Sequence, residues 1–479
     1  MNASESHVVS TESPSPRFTK LLVAALVGVY LLVVVGATAA LADAVRACST
    51  WPLCSGPIGD LQVTIALGHR LTAAIVAGLI VAATVVGWSH ATTRVKRALC
   101  VVLVLYPIQI GVGAFVATTG VRGGLAEVHL FTGAAIFVSL ALALAWQLEA
   151  ETGQFETRST APPADRTSQS DRSVPANSES VASGQSTETG VVATVRAYYR
   201  LMKPRLMWLL CLVASAGMAL AAGTEAEPLS VETVVLTLGG GVLSIGASGT
   251  FNHVLERDID RRMARTADRP LATDTVGVTN AIAFGVLLTI ASIVLFAQVN
   301  SMAALLGFSA VVFYSVVYTL VLKPNTVQNT VIGGIAGAIP ALIGWAAVTG
   351  SIGWPGFVLA GVIFLWTPAH FYNLALAYQE DYERGGFPMM PVVRGESTTR
   401  KHIVYYLVAT LLAAIVLTAL TPLGWLYAAV TVSLGAVFLW TVVRLHRERT
   451  DRAAFRAFHA SNAYLGAILT AVIIDMMVL

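Results

Sequence analysis

The sequence predicts an all-α polytopic membrane protein, with a four-helix transmembrane bundle followed, after a polar linker, by a nine-helix intramembrane bundle. Three observations carry this prediction. Hydrophobic residues make up 56% of the 479 residues and charged residues only 12%, against about 25% charged in a soluble domain. Apolar runs of roughly 20 residues, long enough to cross a bilayer, recur along the chain. Between two groups of runs lies "EAETGQFETRSTAPPADRTSQSDRSVPANSESVASGQSTETG", which is nearly devoid of large apolar residues. The net charge of +3 is too small to suggest nucleic acid as a partner.

Residues 1–17 are polar and read as a disordered start. The first block, 18–148, has apolar runs near 20–42, 63–88, 98–118 and 126–147. Its first run, Leu21 to Ala42, is too long for the apolar core of a signal peptide, so no cleavable leader is expected. Residues 149–195 are rich in Ser, Thr, Glu and Pro, cannot bury a core, and read as a flexible linker. The second block, 196–479, has runs near 207–222, 231–250, 279–298, 302–321, 328–348, 354–373, 403–421, 423–443 and 460–479.

Positive charge orients the spans. Arg17 and Lys20, "HATTRVKR", Lys203 and Arg205, the stretch 251–271, Lys323, the segment 378–402 and "RLHRERTDRAAFR" all fall on one side if each run crosses once. Inside loops are the ones that carry Lys and Arg. The expectation is a multi-pass cell-membrane protein with its N-terminus in the cytoplasm and its C-terminus outside.

The stretch 251–271, "FNHVLERDIDRRMARTADRPL", concentrates charge of both signs on that cytoplasmic face. Read as a helix leaving the membrane, it places Asn252, Glu256 and Asp260 four apart on one face. Three oxygen ligands on one stripe suit Mg²⁺, which keeps several waters and bridges to phosphate. Arg257, Arg261 and Arg265 form a second stripe, and Arg269 follows before Pro270. Arginine forks suit phosphate oxygens. Metal plus arginine at a membrane surface points to a diphosphate. From spacing alone, a charged loop laced with salt bridges fits as well.

Two more inside loops favour the diphosphate. "WTPAHFYNLALAYQEDYERGGFPMMPVVRG" brings His370, Asn373, Glu380, Asp381, Arg384 and Arg394. "YSVVYTLVLKPNTVQNTVIGG" brings Tyr314 and Tyr318, one turn apart, and Lys323 as a further phosphate ligand. Polar groups in membrane helices face cavities and mark function. Aromatic faces at Tyr314, Tyr318 and Phe371 can steady a carbocation. His370 reads either as a residue that positions substrate or handles a proton, or as a helix-end histidine satisfied by backbone.

At these residues the second block resembles the intramembrane aromatic prenyltransferase superfamily, and within it the protohaem IX farnesyltransferases, or haem O synthases. The matching segments are "KPR" at 203–205, "ERDIDRRMARTADRPL" at 256–271, "YTLVLKPNTVQNTVIGGIAGAIPALIGW" at 318–345, "WTPAHF" at 366–371 and "DYERGGFPMMPV" at 381–392. "RTADRPL" is shared widely in the superfamily, whereas "WTPAHF" with "GGFPMMPV" is much more specific to the haem branch. The resemblance implies a nine-helix bundle with a central cavity, farnesyl diphosphate bound through Mg²⁺, and attack by a vinyl group of haem B. Carried over, Asn252, Glu256 and Asp260 form the first acidic motif and Asp381 the second. Two departures stand out. His253 and Glu256 occupy positions where many superfamily members have Asp. Ala377 and Gly385, rather than a second Asp, lie four residues either side of Asp381.

In the first block, "CSTWPLC" at 48–54 lies outside, with His69 and His129 near the outer ends of spans two and four. At a rise of 1.5 Å per residue, both histidines sit about 5–12 Å below the outer surface. Two imidazoles at one depth can ligate one haem axially. An oxidising exterior and this spacing are compatible with a Cys48–Cys54 disulfide without fixing one. Two interfacial histidines and an incidental cysteine pair are the plainer alternative. "GATAALADAVRACSTWPLCSGP", "GHRLTAAIVAG" and "GAFVATTGVRGGLAEVHLFTGAAIF" resemble one half of a haem A synthase. That family often has Glu shortly before its His-Arg pair, where this chain has Ala66, Leu67 and Gly68. The resemblance implies a bound haem in the module, a homo-oligomer through it, and haem A synthase or oxidase-assembly partners. The leading reading is therefore haem O synthesis with a haem-binding N-terminal module. The alternatives are a fusion that also oxidises haem O to haem A, and a non-catalytic haem-handling protein. The intact Asn252/Glu256/Asp260 stripe speaks against the latter, and "WTPAHF" against a quinone-precursor prenyltransferase.

Overall fold

The computed structural model describes residues 16–41, 48, 50–54, 60–119, 124–159 and 190–478. The expected disordered start, over 1–15, and the linker, over 160–189, lie outside the described residues. No strand occurs among the described residues. Thirteen helices among them are long and apolar enough to cross a bilayer.

The first four are α1 (Pro16–Leu41), α2 (Leu61–Gly87), α3 (Thr93–Thr119) and α4 (Gly124–Ser159). They pack α1 on α2, α2 on α3, α3 on α4 and α4 back on α1, which closes a four-helix bundle. A short α5 (Val191–Leu201) leads into α6 (Pro204–Glu225) and α7 (Val231–Leu255). Next come α8 (Arg257–Asp260), α9 (Val278–Val299), α10 (Ser301–Val312), a π-helix (Phe313–Leu322), α11 (Lys323–Asn325), α12 (Asn329–Thr349) and α13 (Trp354–Ala377). The chain ends with α14 (Gln379–Arg384), α15 (Met390–Arg394), α16 (Glu396–Leu420), α17 (Trp425–Glu448) and α18 (Asp451–Met477). Successive long helices pack side by side, and α18 returns to α6, so the second bundle is a closed ring.

Local chemistry sets several starts. Asp60, Ser230, Asn300 and Thr450 accept backbone N–H bonds at the N-termini of α2, α7, α10 and α18, which satisfies donors the helix cannot reach. Pro204 sits in the first turn of α6, where its missing N–H costs nothing. Small residues let helices touch. A Cβ on Gly217 would lie 2.4 Å from Ala341 O, and one on Gly344 would lie 2.1 Å from Ala214 O. The α6 and α12 backbones are therefore in contact, as in small-residue membrane interfaces.

The four-helix bundle docks on α16 and α17. The Tyr30 hydroxyl donates to Leu411 O at 3.4 Å, and Lys401 pairs with Glu149 at 2.5 Å. Helix α4 continues to Ser159, beyond its expected end. Helix also occupies 191–195, so both flanks of the expected 149–195 linker are helical. Helices α16 and α18 begin earlier than the hydropathy runs near 403 and 460. The run expected as one plain helix over 302–321 is α-helical only to Val312 and π-helical beyond.

Candidate functional site

The α-helical bonds of α7 carry on past its end: Glu256 N donates to Asn252 O at 2.9 Å and Asp260 N to Glu256 O at 2.7 Å. The four-residue register expected for Asn252, Glu256 and Asp260 therefore holds. All three are buried, at 2%, 4% and 2% exposure. Each faces a cation. Lys203 Nζ donates to Asn252 Oδ1. Lys323 Nζ meets Glu256 Oε1 at 2.6 Å. Arg269 Nη1 reaches both Asp260 carboxylate oxygens at 2.8 Å. Buried charges persist only when paired in this way.

The pairs set the protonation of the rim. Burial pulls the Lys203 ammonium down to about 8, and Arg269 adds to that pull. Burial pushes the Glu256 carboxyl up, but Lys323 and Lys203 outweigh it and hold Glu256 below its ordinary value. At Asp260 burial outweighs Arg269, and its carboxyl lies above the ordinary value.

Beyond Asp260 the chain leaves the helix for turns, so the second expected stripe does not form. Arg261 closes the loop instead, with Nε on Ala272 O at 2.8 Å and Nη2 on Asp274 at 2.7 Å. Arg257 lies 3.5 Å from the exposed Asp258. Arg265 lies over the Tyr378 and Tyr382 rings at 5.3 and 5.7 Å. Of the four arginines, only Arg269 touches the acidic stripe directly.

Asp381 joins the second acidic segment to this loop. Its carboxylate accepts the backbone N–H of Ala264 at 3.1 Å and of Arg265 at 3.3 Å, and Arg384 at 2.6 Å. Burial pushes the Asp381 carboxyl up, but these donors outweigh it and leave it below the ordinary value. Phe387, from the "GGFP" turn, packs under Lys323 Nζ, 4.4 Å from its ring centre.

The π-helix supplies the third wall. Its wider turn lets Thr319 Oγ1 donate to Tyr314 O at 2.9 Å and accept from Asn252 Nδ2 at 3.2 Å. π-turns of this kind cluster at functional sites. The Tyr314 and Tyr318 rings lie 5.5 Å apart. Gly333 makes room for them, since a Cβ there would lie 2.6 Å from the Tyr318 ring. A narrow, mostly apolar cavity of about 80 Å³ runs from Lys203 and Tyr314 past Leu210, Ser244 and Phe296.

His370 lies elsewhere. Its Nδ1 pairs with Ser461 Oγ at 2.7 Å, and its ring stacks at 4.3 Å on both Trp366 and Phe458. It is a satisfied residue of the α13–α18 contact, and Phe371 beside it is exposed. Sequence reasoning missed Lys203 and Thr319 as site residues. "KPR" was the available signal for Lys203, and nothing in sequence announced Thr319. It also gave no role to His253, which is buried beside Asn252 with neither ring nitrogen bonded.

A second cavity, of about 440 Å³, lies in the four-helix bundle and is lined by His69, His129, Gln109, Tyr106, Trp51 and Glu127. Both histidine Nδ1 atoms are buried without a partner. Glycines seat the rings. A Cβ on Gly113 would lie 2.8 Å from His129 Cε1, and one on Gly36 3.3 Å from His69 Cε1. Cys48 and Cys54 are disulfide-bonded. Arg70 ties their loop down through the carbonyls of Cys48, Thr50 and Pro52, at 3.2, 2.8 and 3.1 Å. Ala66 also lines the cavity.

The chemistry of each donor set indicates what it fits. Asn252, Glu256, Asp260 and Asp381 offer only oxygen. No three His, Cys, Asp or Glu side chains among the described residues gather tightly enough to hold a metal alone. Such a set suits an ion that completes its shell with water and phosphate, as Mg²⁺ does. Two unpartnered imidazoles on one cavity suit a haem iron.

Comparison with known proteins accords with both halves. Residues 209–465 match the UbiA prenyltransferase family. Residues 2–141 match a family described as cytochrome oxidase assembly protein. A Haloarcula marismortui protein named Protoheme IX farnesyltransferase is 62% identical over 468 residues, covering 97% of this chain and 99% of that one. A Halobacterium salinarum protein of the same name is 56% identical over 474 residues, covering 98% and 100%. In fold, a solved digeranylgeranylglyceryl phosphate synthase superposes with a TM-score of 0.50 at 17% identity, over 60% of this chain and 100% of that one.

Proposed function

The chain belongs to the UbiA prenyltransferase family and transfers the farnesyl group of farnesyl diphosphate to a vinyl group of protohaem IX (haem B), giving haem O, and we propose that the rim of paired charges at the inner mouth does this work. The observation that carries the reading is the pairing itself: Asn252 with Lys203, Glu256 with Lys323, Asp260 with Arg269. Each proposed metal ligand on the 252–260 stripe stands beside a proposed phosphate ligand.

In this reading Asn252, Glu256, Asp260 and Asp381 hold Mg²⁺, while Lys203, Lys323, Arg265 and Arg269 take the diphosphate oxygens. Bound Mg²⁺ supplies neutralisation of the charge that develops on the departing diphosphate. The side chains do the rest by exchanging partners, each cation moving from a rim oxygen to a phosphate oxygen. Fixed charges of this kind need little reorganisation as the C–O bond breaks. The allylic cation is left facing Tyr314 and Tyr318 in an apolar cavity that keeps water away until attack. The vinyl carbon then bonds to the farnesyl carbon, water adds at the neighbouring carbon, and its proton leaves. Asp381 also clamps the 264–265 backbone, and Arg257 and Arg261 brace the loop. His370 holds α13 against α18 as a positioning residue.

Chelation tests the metal. Protein in nanodiscs with farnesyl diphosphate and haem B should form haem O with Mg²⁺ and stop with EDTA. EDTA-insensitive transfer would sink the metal assignment.

The outer cavity supports a second proposal, that His69 and His129 bind a haem in the N-terminal module. The lining holds Ala66 and a carboxylate, Glu127, and haem binding is the reading proposed. A second haem would need another copy of the chain, which favours a homo-oligomer, or a haem A synthase or oxidase-assembly partner. The thirteen spanning helices make the protein multi-pass. The loop charges favour a cell membrane with the N-terminus and inner mouth in the cytoplasm. The same division into start, four-span module, linker and nine-span enzyme is proposed for the chain.

A further inference from the structure

Helix α5, "VVATVRAYYRL", does not cross the membrane, yet it carries two apolar faces. One is spent on the protein. Ala197 and Leu201 are buried with Leu271, Val276 and Ala281, and the Tyr198 ring meets Phe284 at 5.0 Å. The other points out: Val191, Val192, Val195 and Tyr199 are 80%, 65%, 60% and 57% exposed. At about 100° per residue these four fall within a sector of about 100°. Arg196 and Arg200 follow that sector at about 40° and 80° past its Val192 edge, between it and the buried face.

We propose that α5 is an in-plane anchor, with its Val191/Val192/Val195/Tyr199 stripe sunk into the inner leaflet, and that this insertion fixes the height of Lys203 at the mouth. The occupant is the lipid surface because α5 stops two residues short of Pro204, where a spanning helix enters the bilayer. The first turn of that helix continues the outward apolar surface, with Leu206 47% and Trp208 59% exposed. A basic border beside an apolar stripe is how interfacial helices sit among headgroups, buried about 5–10 Å. The other apolar face is already occupied, so the stripe cannot fold onto its own bundle.

The coupling to the site is short. Arg200 Nη2 meets Asp268 Oδ2 at 2.7 Å and Asp268 O at 3.2 Å, next to Arg269. Lys203 lies two residues past the end of α5, caps α6 with a φ of 55°, and donates to Asn252. This part rests on the assignment of Lys203 and Arg269 to the diphosphate.

Nitroxide depth measurement tests the anchor without reference to activity. The full chain, with Cys100→Ala and Cys211→Ala, would carry one cysteine in place of Val195 or of Arg196 and be placed in nanodiscs. The label at 195 should be reached by oxygen and shielded from a nickel chelate, while the label at 196 should show the reverse. Equal nickel access at both positions overturns the anchor. So does a 195 label immobilised and crosslinked to residues 160–189 or to a second copy. The paired variant Val192→Asp/Val195→Asp then tests the coupling. It should raise KM for farnesyl diphosphate several-fold and leave KM for haem B unchanged. Unchanged KM for both, or an equal rise in both, overturns the coupling while leaving the reading of the rim intact.

Discussion

The charged mouth and the histidine-lined cavity solve opposite problems. At the charged mouth the buried acids already have partners, in pairs such as Lys323–Glu256 and Arg269–Asp260. In the outer cavity the two imidazoles keep unpartnered nitrogens. The difference follows from cost. An ionised group left unpaired in a low-dielectric site costs many kcal/mol, whereas a neutral polar group costs about 1–3 kcal/mol. A site for a charged diphosphate must therefore be self-neutralised before substrate arrives, and binding proceeds by exchange. A site for a haem can hold neutral ligands waiting.

The contrast can be broken at either end. Asp260→Ala should have the largest effect, lowering transfer at least about 100-fold, the scale of losing one preorganised electrostatic group. The protein should stay inserted and the outer cavity untouched; full activity in the variant would remove Asp260 from the rim. Next, His69→Ala with His129→Ala should abolish a bis-histidine haem spectrum and leave farnesyl transfer near its original rate. Loss of transfer there would mean that the two cavities are coupled.

The rim itself can be sharpened. Lys323→Met leaves Glu256 charged and buried, so it should lower thermal stability more than Lys323→Met with Glu256→Gln. Breaking one side of a buried pair costs about 3–5 kcal/mol, whereas replacing both sides is often neutral. A double variant less stable than the single one would contradict the pairing. The smallest effect is expected at the outer loop. Cys48 and Cys54 should resist thiol labelling until reduced, and reduction should change haem retention more than transfer.

Much of this was legible in sequence. Spans were readable because apolar length is a direct consequence of bilayer thickness, and the Asn252/Glu256/Asp260 register held because the helical bonds continue to Asp260. The starts of α16 and α18 were missed because hydropathy sees only the part of a helix inside lipid. Arg261 was misplaced because nothing in its spacing marks the turn after Asp260. The π-helix under Tyr314 and Thr319 leaves no hydropathy signature. The grip of Asp381 on the 264–265 backbone is a tertiary contact that no spacing predicts.

The most direct test of the central claim is mass spectrometry of haems extracted after expressing the full chain in a host lacking its own haem O and haem A synthases. The account predicts haem O. Haem B alone, with stable protein in the membrane, would contradict it.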